Sequence, residues 1–180
     1  MEKITCYDKV DGISLEHMVR YGKFDMRVKH FHNEYEIFYI LEGERLIFFN
    51  NRNFVAGKGD LILIDSNLIH MTKSVSDEDT GHNRIILYVT REKMQTIDKT
   101  YPALQLVRLF HQHSGVFHLT PQQQDNFMEL YYLFRSECKQ KKRAYKQAVE
   151  LAVVSYFSSS YQKTWTSFLP KTLSFQEWKI

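Results

Sequence analysis

The chain has 180 residues and a mass of 21.5 kDa, enough for one domain with a small appendage and too short for two full-sized ones. Hydrophobic residues make up 43% and charged residues 25%, a globular composition that excludes wholesale disorder. Lys and Arg number 24 against 21 Asp and Glu, and a net charge of +3 gives no global field for nucleic acid, so DNA contact would need a local basic patch.

Residues 1–20 read as an amino-terminal arm. Met1-Glu2-Lys3-Ile4-Thr5 lacks the basic-then-apolar pattern of a secretory signal. Glycines concentrate in the first 81 residues, which predicts a turn-rich β half followed by a helical half. Ile37–Leu41, Leu46–Phe49, Leu61–Ile64 and Ile85–Val89 are short branched or aromatic runs bounded by turn residues, and they read as strands. Their spacing suits an antiparallel sandwich or barrel over residues 21–100 better than alternating βαβ units.

The periodicity changes near residue 102. A short helix is expected over Ala103 to His113. Thr120-Pro121-Gln122-Gln123 then opens a longer one, with Thr as cap, Pro at the first helical position and Gln three residues on. Phe127, Leu130, Tyr131, Phe134 and Cys138 repeat at helical spacing along it. After the polar break Lys139-Gln140-Lys141-Lys142-Arg143, a second helix carries Tyr145, Ala148, Val149, Ala152 and Tyr156, with Leu151, Val153, Val154 and Phe157 widening its apolar face. So short a break makes the two helices an antiparallel hairpin. An apolar face that wide needs partners on more than one side, which predicts a homodimer through this hairpin, residues 101–160. The tail 161–180 holds Trp165, Phe168, Phe175 and Trp178 without a clear period. The basic cluster Lys139 to Arg143 reads as a solvated loop.

His30, His32, Glu36 and His70 stand out among the chemistry-bearing residues. On a strand, residues two apart share a face, so His30, His32 and Glu36 are expected to point together, with Phe38 continuing the same wall and Tyr39 facing outward. Three imidazoles and a carboxylate suit a first-row divalent metal, with Zn, Ni, Mn and Fe as the options, or could hydrogen-bond a small molecule directly. The pair His111 and His113 falls at a helix end, where imidazoles suit the dipole without any metal. Arg45 and Arg84 could hold an anion but read as surface residues, and His82 reads as a turn residue. Cys6 and Cys138 lie far apart outside any motif, so they are expected to be reduced spectator thiols. No apolar run reaches the roughly 18 residues of a membrane span, and a cytoplasmic location is expected.

The string from His30 through Glu36 to Gly43, and that from Gly59-Asp60 through Asp65-Ser66-Asn67 to His70, resemble the two signature motifs of the cupin superfamily. Asp65 and Asn67 stand where cupins usually carry Pro and Gly, and Ser74 where the second motif often ends in Asn. The phrase His-Asn-Glu-Tyr-Glu-Ile-Phe-Tyr-Ile-Leu-Glu-Gly and the later hairpin narrow the likeness. Over roughly residues 20 to 160 the chain is similar to the amino-terminal sensor domain of AraC-type transcriptional regulators.

That resemblance implies a mainly β fold: a cupin-type antiparallel barrel of jelly-roll form followed by an antiparallel helical hairpin. It implies a small-molecule effector in the barrel near His30, His32, Glu36, Phe38 and His70, dimerisation through the hairpin, and no catalytic residues. In such regulators a separate carboxy-terminal domain with helix-turn-helix units contacts DNA, and only 24 residues follow Tyr156, so DNA contact by these 180 residues is not expected. The competing expectation is a stand-alone metal-dependent cupin enzyme, a dioxygenase, isomerase or lyase, using the same four side chains and an open metal position.

Overall fold

The computed structural model describes residues 1–49 and 52–161; the tail expected over 161–180 therefore lies outside the described residues beyond Tyr161. In chain order the elements are β1 (Glu2–Val10), β2 (Ile13–Tyr21), β3 (Tyr35–Glu42), β4 (Arg45–Phe49), β5 (Arg52–Ala56), β6 (Asp60–Ile64), β7 (His70–Lys73), β8 (Gly81–Val89), α1 (Arg91–Thr100), a 3-10 turn (Pro102–Leu104), α2 (Leu106–His113), β9 (Gly115–His118), α3 (Pro121–Gln140) and α4 (Tyr145–Tyr161). Two antiparallel sheets form the barrel, one of order β1-β2-β8-β3-β6-β9 and one of order β5-β4-β7. The fold is a cupin-type antiparallel β-barrel followed by helices, as the motifs implied.

Strand alternation divides the core in two. Phe38, Ile40, Ile62, Ile64 and Ile86 point into the barrel and meet Ile47, Phe49, Phe54 and Ala56 of the smaller sheet. Their neighbours Ile37, Tyr39, Leu61, Leu63, Ile85 and Leu87 point outward, where Phe110, Phe127, Phe134, Val153 and Phe157 of the helices cover them. Tyr39 stacks on Phe127 at a ring separation of 4.7 Å, which places it on the outer face. A sheet with both faces buried reads as continuous apolar runs, which is why its central strands are conspicuous in the sequence.

The amino-terminal 21 residues form an edge hairpin rather than a loose arm. Asp11 and Gly12 make the two-residue turn with φ of 47° and 80°, both in the left-handed region that such hairpin turns require. β1 is largely exposed along its length, so its alternation carries no apolar signature. After β8, Thr90 caps α1, whose Met94 and Ile97 are buried. α3 begins with the expected capping box: Thr120 Oγ1 accepts from Gln123 N while the Gln123 side chain accepts from Thr120 N at 2.8 Å. α4 packs on α3 and buries Val149, Val153, Val154, Tyr156 and Phe157, but Leu151 on its far side is 53% exposed.

Candidate functional site

Between β2 and β3 the chain runs as an irregular strap along the free edge of β7. Phe24 N donates to Ser74 Oγ at 2.9 Å, Met26 N to Thr72 O at 3.1 Å, and His30 exchanges both backbone hydrogen bonds with His70 at 3.0 and 2.9 Å. The strap thereby satisfies an edge that would otherwise be open. His30 is held by this single bridge and His32 lies in the loop beyond it, so the expectation that both sit on a regular strand is corrected. They converge nonetheless, because the bridge pins His30 beside His70 and the strap bends His32 back over Glu36.

The turn between β6 and β7 shows how the site survives its sequence departures. Asn67 occupies the position where cupins usually carry Gly, and its φ is +64°. Asn is among the few non-glycine residues that tolerate that region, so the geometry is kept. Asn67 N donates to His32 O at 2.8 Å, which couples the turn to the strap.

The ligating atoms of His30, His32 and His70 all lie within 4.8 Å of one another. Glu36 is 4% exposed and His70 2%. Glu36 Oε2 lies 2.9 Å from His32 Nε2 and 3.7 Å from His70 Nε2. The far nitrogens are fixed from outside: His32 Nδ1 donates to Glu34 O at 3.0 Å and His70 Nδ1 to Leu68 O at 2.8 Å. Those carbonyls can only accept, so they assign the proton to Nδ1 and turn both Nε2 atoms inward. His30 Nδ1 is buried without a hydrogen-bond partner. Burial pushes the His30 and His70 pKa values down, keeping both neutral, and the neighbouring His70 adds to the effect at His30. At His32 burial acts the same way, but the hydrogen bond and charge of Glu36 outweigh it and raise the pKa. Tyr88, whose ring lies 5.7 Å from that of His32, closes the cluster, and burial followed by the Glu36 charge holds its hydroxyl protonated.

Neutral His30 and His70, a His32 whose Nε2 shares its proton with Glu36 and would give it up to a metal, and that buried carboxylate fit a divalent cation in an N3O donor set. Phe38, 4% exposed, stands deeper in the barrel as an interior wall. Arg45, Arg84 and His82 are corrected from surface positions: they are 0%, 8% and 5% exposed and face the same interior beyond Phe38. Their parity was the missed signal, since His82, Arg84 and Ile86 alternate on one face of β8, as Arg45 and Ile47 do on β4. His111 and His113 close α2 away from the cluster, with His111 Nδ1 3.2 Å from Asp65 Oδ2. Cys6 and Cys138 are free thiols whose pKa values burial raises.

Among solved structures, an RmlC-like cupin family protein with a double-stranded β-helix fold from Methanocaldococcus jannaschii is similar at 13% identity, covering 53% of this chain and 86% of that one with a TM-score of 0.45. A Cupin 2 conserved barrel domain protein from Salinispora arenicola is similar at 14% identity, covering 53% and 79% with a TM-score of 0.42. A Bacillus subtilis oxalate decarboxylase with Mn(II) centres is similar at 21% identity and a TM-score of 0.37, over 44% of this chain and only 21% of that one. No curated protein matches the chain. The sequence pattern of the AraC-like ligand binding domain matches residues 19–135, which takes in the strap, the barrel strands from β3 onward and most of α3. The chain belongs to the AraC-like ligand binding domain family.

Proposed function

We propose that the chain is the effector-sensing and dimerisation part of an AraC-type transcriptional regulator. The effector enters the barrel beside His30, His32, Glu36, Phe38 and His70, and α3 and α4 join two copies. Contact with DNA falls to a separate helix-turn-helix domain. The observation that carries the reading is the convergence of three imidazoles and Glu36 at one end of a barrel whose family is a ligand-binding one. A ligand shifts such a protein only through unequal affinity for two arrangements of the strap or hairpin. When bound, a divalent cation held by His30, His32, His70 and Glu36 would supply Lewis acidity toward an oxygen of the effector.

The dimer reading rests on the hairpin's outer surface. Tyr132, Leu133 and Leu151 are 64%, 42% and 53% exposed, and a groove of about 280 Å³ runs between α3 and α4, with Leu130, Leu133, Ala152 and Tyr156 as its apolar lining and Asn126, Glu129, Ser155 and Ser159 as its polar lining. Sedimentation velocity of the chain tests it: a dimer that Leu133→Asp converts to monomer supports the assignment, and a monomer at all concentrations overturns it. Titration with Zn(II), Mn(II) or Ni(II) tests the cluster. One site per chain, lost in His32→Ala, is expected.

The same donor set favours a second reading, a metal-dependent cupin enzyme. Oxygen consumption or carboxylate turnover by the metal-loaded chain, absent from His32→Ala, would move the assignment to it.

A further inference from the structure

At the end of the barrel opposite the histidines, Arg45, Arg84 and His82 point inward from β4 and β8 with Ser74 and Asp79 beside them, and all but Ser74 are incompletely partnered. Arg45 Nη2 donates to Phe24 O at 2.7 Å and Thr72 Oγ1 at 3.3 Å, and its Nη1 to Ser74 Oγ at 3.2 Å, but its Nε has no acceptor. Arg84 Nη2 pairs with Glu16 Oε1 at 2.9 Å while Nη1 has none. His82 Nδ1 is equally unpartnered. Asp79 Oδ1 accepts from Gly81 N at 2.7 Å, yet its Oδ2 makes no hydrogen bond and sits 3.6 Å from Arg45 Nη1. Buried polar groups are nearly always satisfied, and leaving one without a partner costs about 1–3 kcal/mol. Four of the six unpartnered buried atoms among the described residues belong to these four side chains.

The guanidiniums of Arg20, Arg84 and Arg45 each face one carboxylate, Glu2 at 3.0 Å, Glu16 at 2.9 Å and Asp79 at 3.6 Å. Burial, followed by the charges of Arg45, Arg84 and Arg20, lowers the His82 pKa to about 3, so His82 is neutral. Phe38 forms the floor, with Arg84 Cζ 5.3 Å from its ring centroid, and Phe24 of the strap covers the rim, with Arg20 Cζ 3.5 Å from its ring.

We propose that this end of the barrel is a recognition site for a small hydroxy acid, its carboxylate taken by Arg45 Nε, Arg84 Nη1 and His82 Nδ1 and its hydroxyl donating to Asp79 Oδ2. A carboxylate supplies the acceptors that the orphaned donors need, and planar guanidiniums bind it with directional strength. The hydroxyl serves the one orphaned acceptor. The inference goes beyond the effector reading, whose site lies at the histidine end, and rests on that reading for its biological meaning only.

Isothermal titration of the full chain at pH 7 with glycolate, lactate and 3-hydroxybutyrate tests it, with propane-1,2-diol and inorganic phosphate as comparison probes. Saturable binding of at least one acid is expected, with no binding of the diol and weaker binding of phosphate. Arg84→Lys keeps the charge but loses the fork, and should weaken the acid at least tenfold; His82→Phe should do the same. Arg143→Ala, on the exposed loop after α3, should leave affinity unchanged. Circular dichroism confirms folding, and His82→Phe gives the reading should Arg84→Lys fail to fold. No saturable binding by any of the acids, equal binding of the diol, tighter binding of phosphate, or unchanged affinity in a folded Arg84→Lys would each overturn the proposal. If the acids bind without altering sedimentation of the hairpin dimer, the site stands and the sensor reading falls.

Discussion

His82 offers a direct measurement of how hostile the inner barrel is to a further positive charge. Its side chain is 5% exposed and its pKa is lowered from 6.5 to about 3 by burial and by the guanidiniums of Arg45, Arg84 and Arg20. The unfolded chain takes up this proton near pH 6.5, while the native protein refuses it until near pH 3. Stability is therefore fully present above pH 6.5 and is lost on acidification, at up to about 1.4 kcal/mol per pH unit through that window. Between pH 7 and pH 5 the loss from this residue alone amounts to about 2 kcal/mol. Urea unfolding of the wild type and of His82→Gln at both pH values isolates it, because other titrating groups are common to the two proteins and cancel in the double difference. The wild type should lose about 2 kcal/mol more than the variant on going to pH 5. Equal losses within about 0.5 kcal/mol would show that His82 is hydrated or charge-compensated, and the reasoning would fail.

Three further substitutions probe the architecture by denaturation. Phe134, 0% exposed between α3 and the sheet, should cost about 3–5 kcal/mol when truncated in Phe134→Ala, and a loss under 1 kcal/mol would mean that the helices do not pack there. Thr120→Ala removes one arm of the capping box and should cost about 1 kcal/mol, with Thr120→Ser close to wild type. At Asn67, with φ of +64°, Asn67→Gly should be neutral within about 0.5 kcal/mol whereas Asn67→Val should destabilise by more than 1 kcal/mol, and the reverse order would contradict the left-handed turn.

The barrel and hairpin were legible because their signals are local. Runs such as Leu61–Ile64 are apolar on both faces since both faces are buried, and the Thr120 cap announces α3 by residue type and spacing. His30, His32, Glu36 and His70 were legible as a group, although the premise of a strand under His30 and His32 did not hold; tertiary bridging to His70 does that work instead. β1 escaped because an exposed edge strand shows no periodic apolar face, and β2 because its buried Ile13, Leu15 and Met18 are interrupted by Glu16 and His17, though Asp11-Gly12 between Val10 and Ile13 was a usable turn signal. The buried arginines escaped for a different reason. Composition places Arg outside by default, and only strand parity, carried from Ile86 to Arg84 and His82 and from Ile47 to Arg45, contradicts that default.

The same parity places a hydrogen-bonded chain on the side of the sheet away from the barrel. On β8, His82 and Arg84 face the barrel while Asn83 between them faces the helices, and Asn83 Oδ1 lies 2.9 Å from His17 Nε2 on the neighbouring strand. An amide oxygen only accepts, so His17 carries its proton on Nε2, and burial lowers its pKa and keeps it neutral. Its Nδ1 is then an acceptor for the Tyr131 hydroxyl of α3 at 2.8 Å, and that oxygen in turn accepts from Arg135 Nη1 at 3.0 Å. The chain of bonds is partly enclosed, where each link is stronger than in water and costly to leave unmade. In a sensor of the proposed kind, a ligand acting on His82 and Arg84 acts on the two residues flanking Asn83. Hydrogen bonds weaken over a few tenths of an ångström, so β8 cannot shift toward such a ligand without either breaking the link to His17 or drawing Tyr131, and with it α3, along.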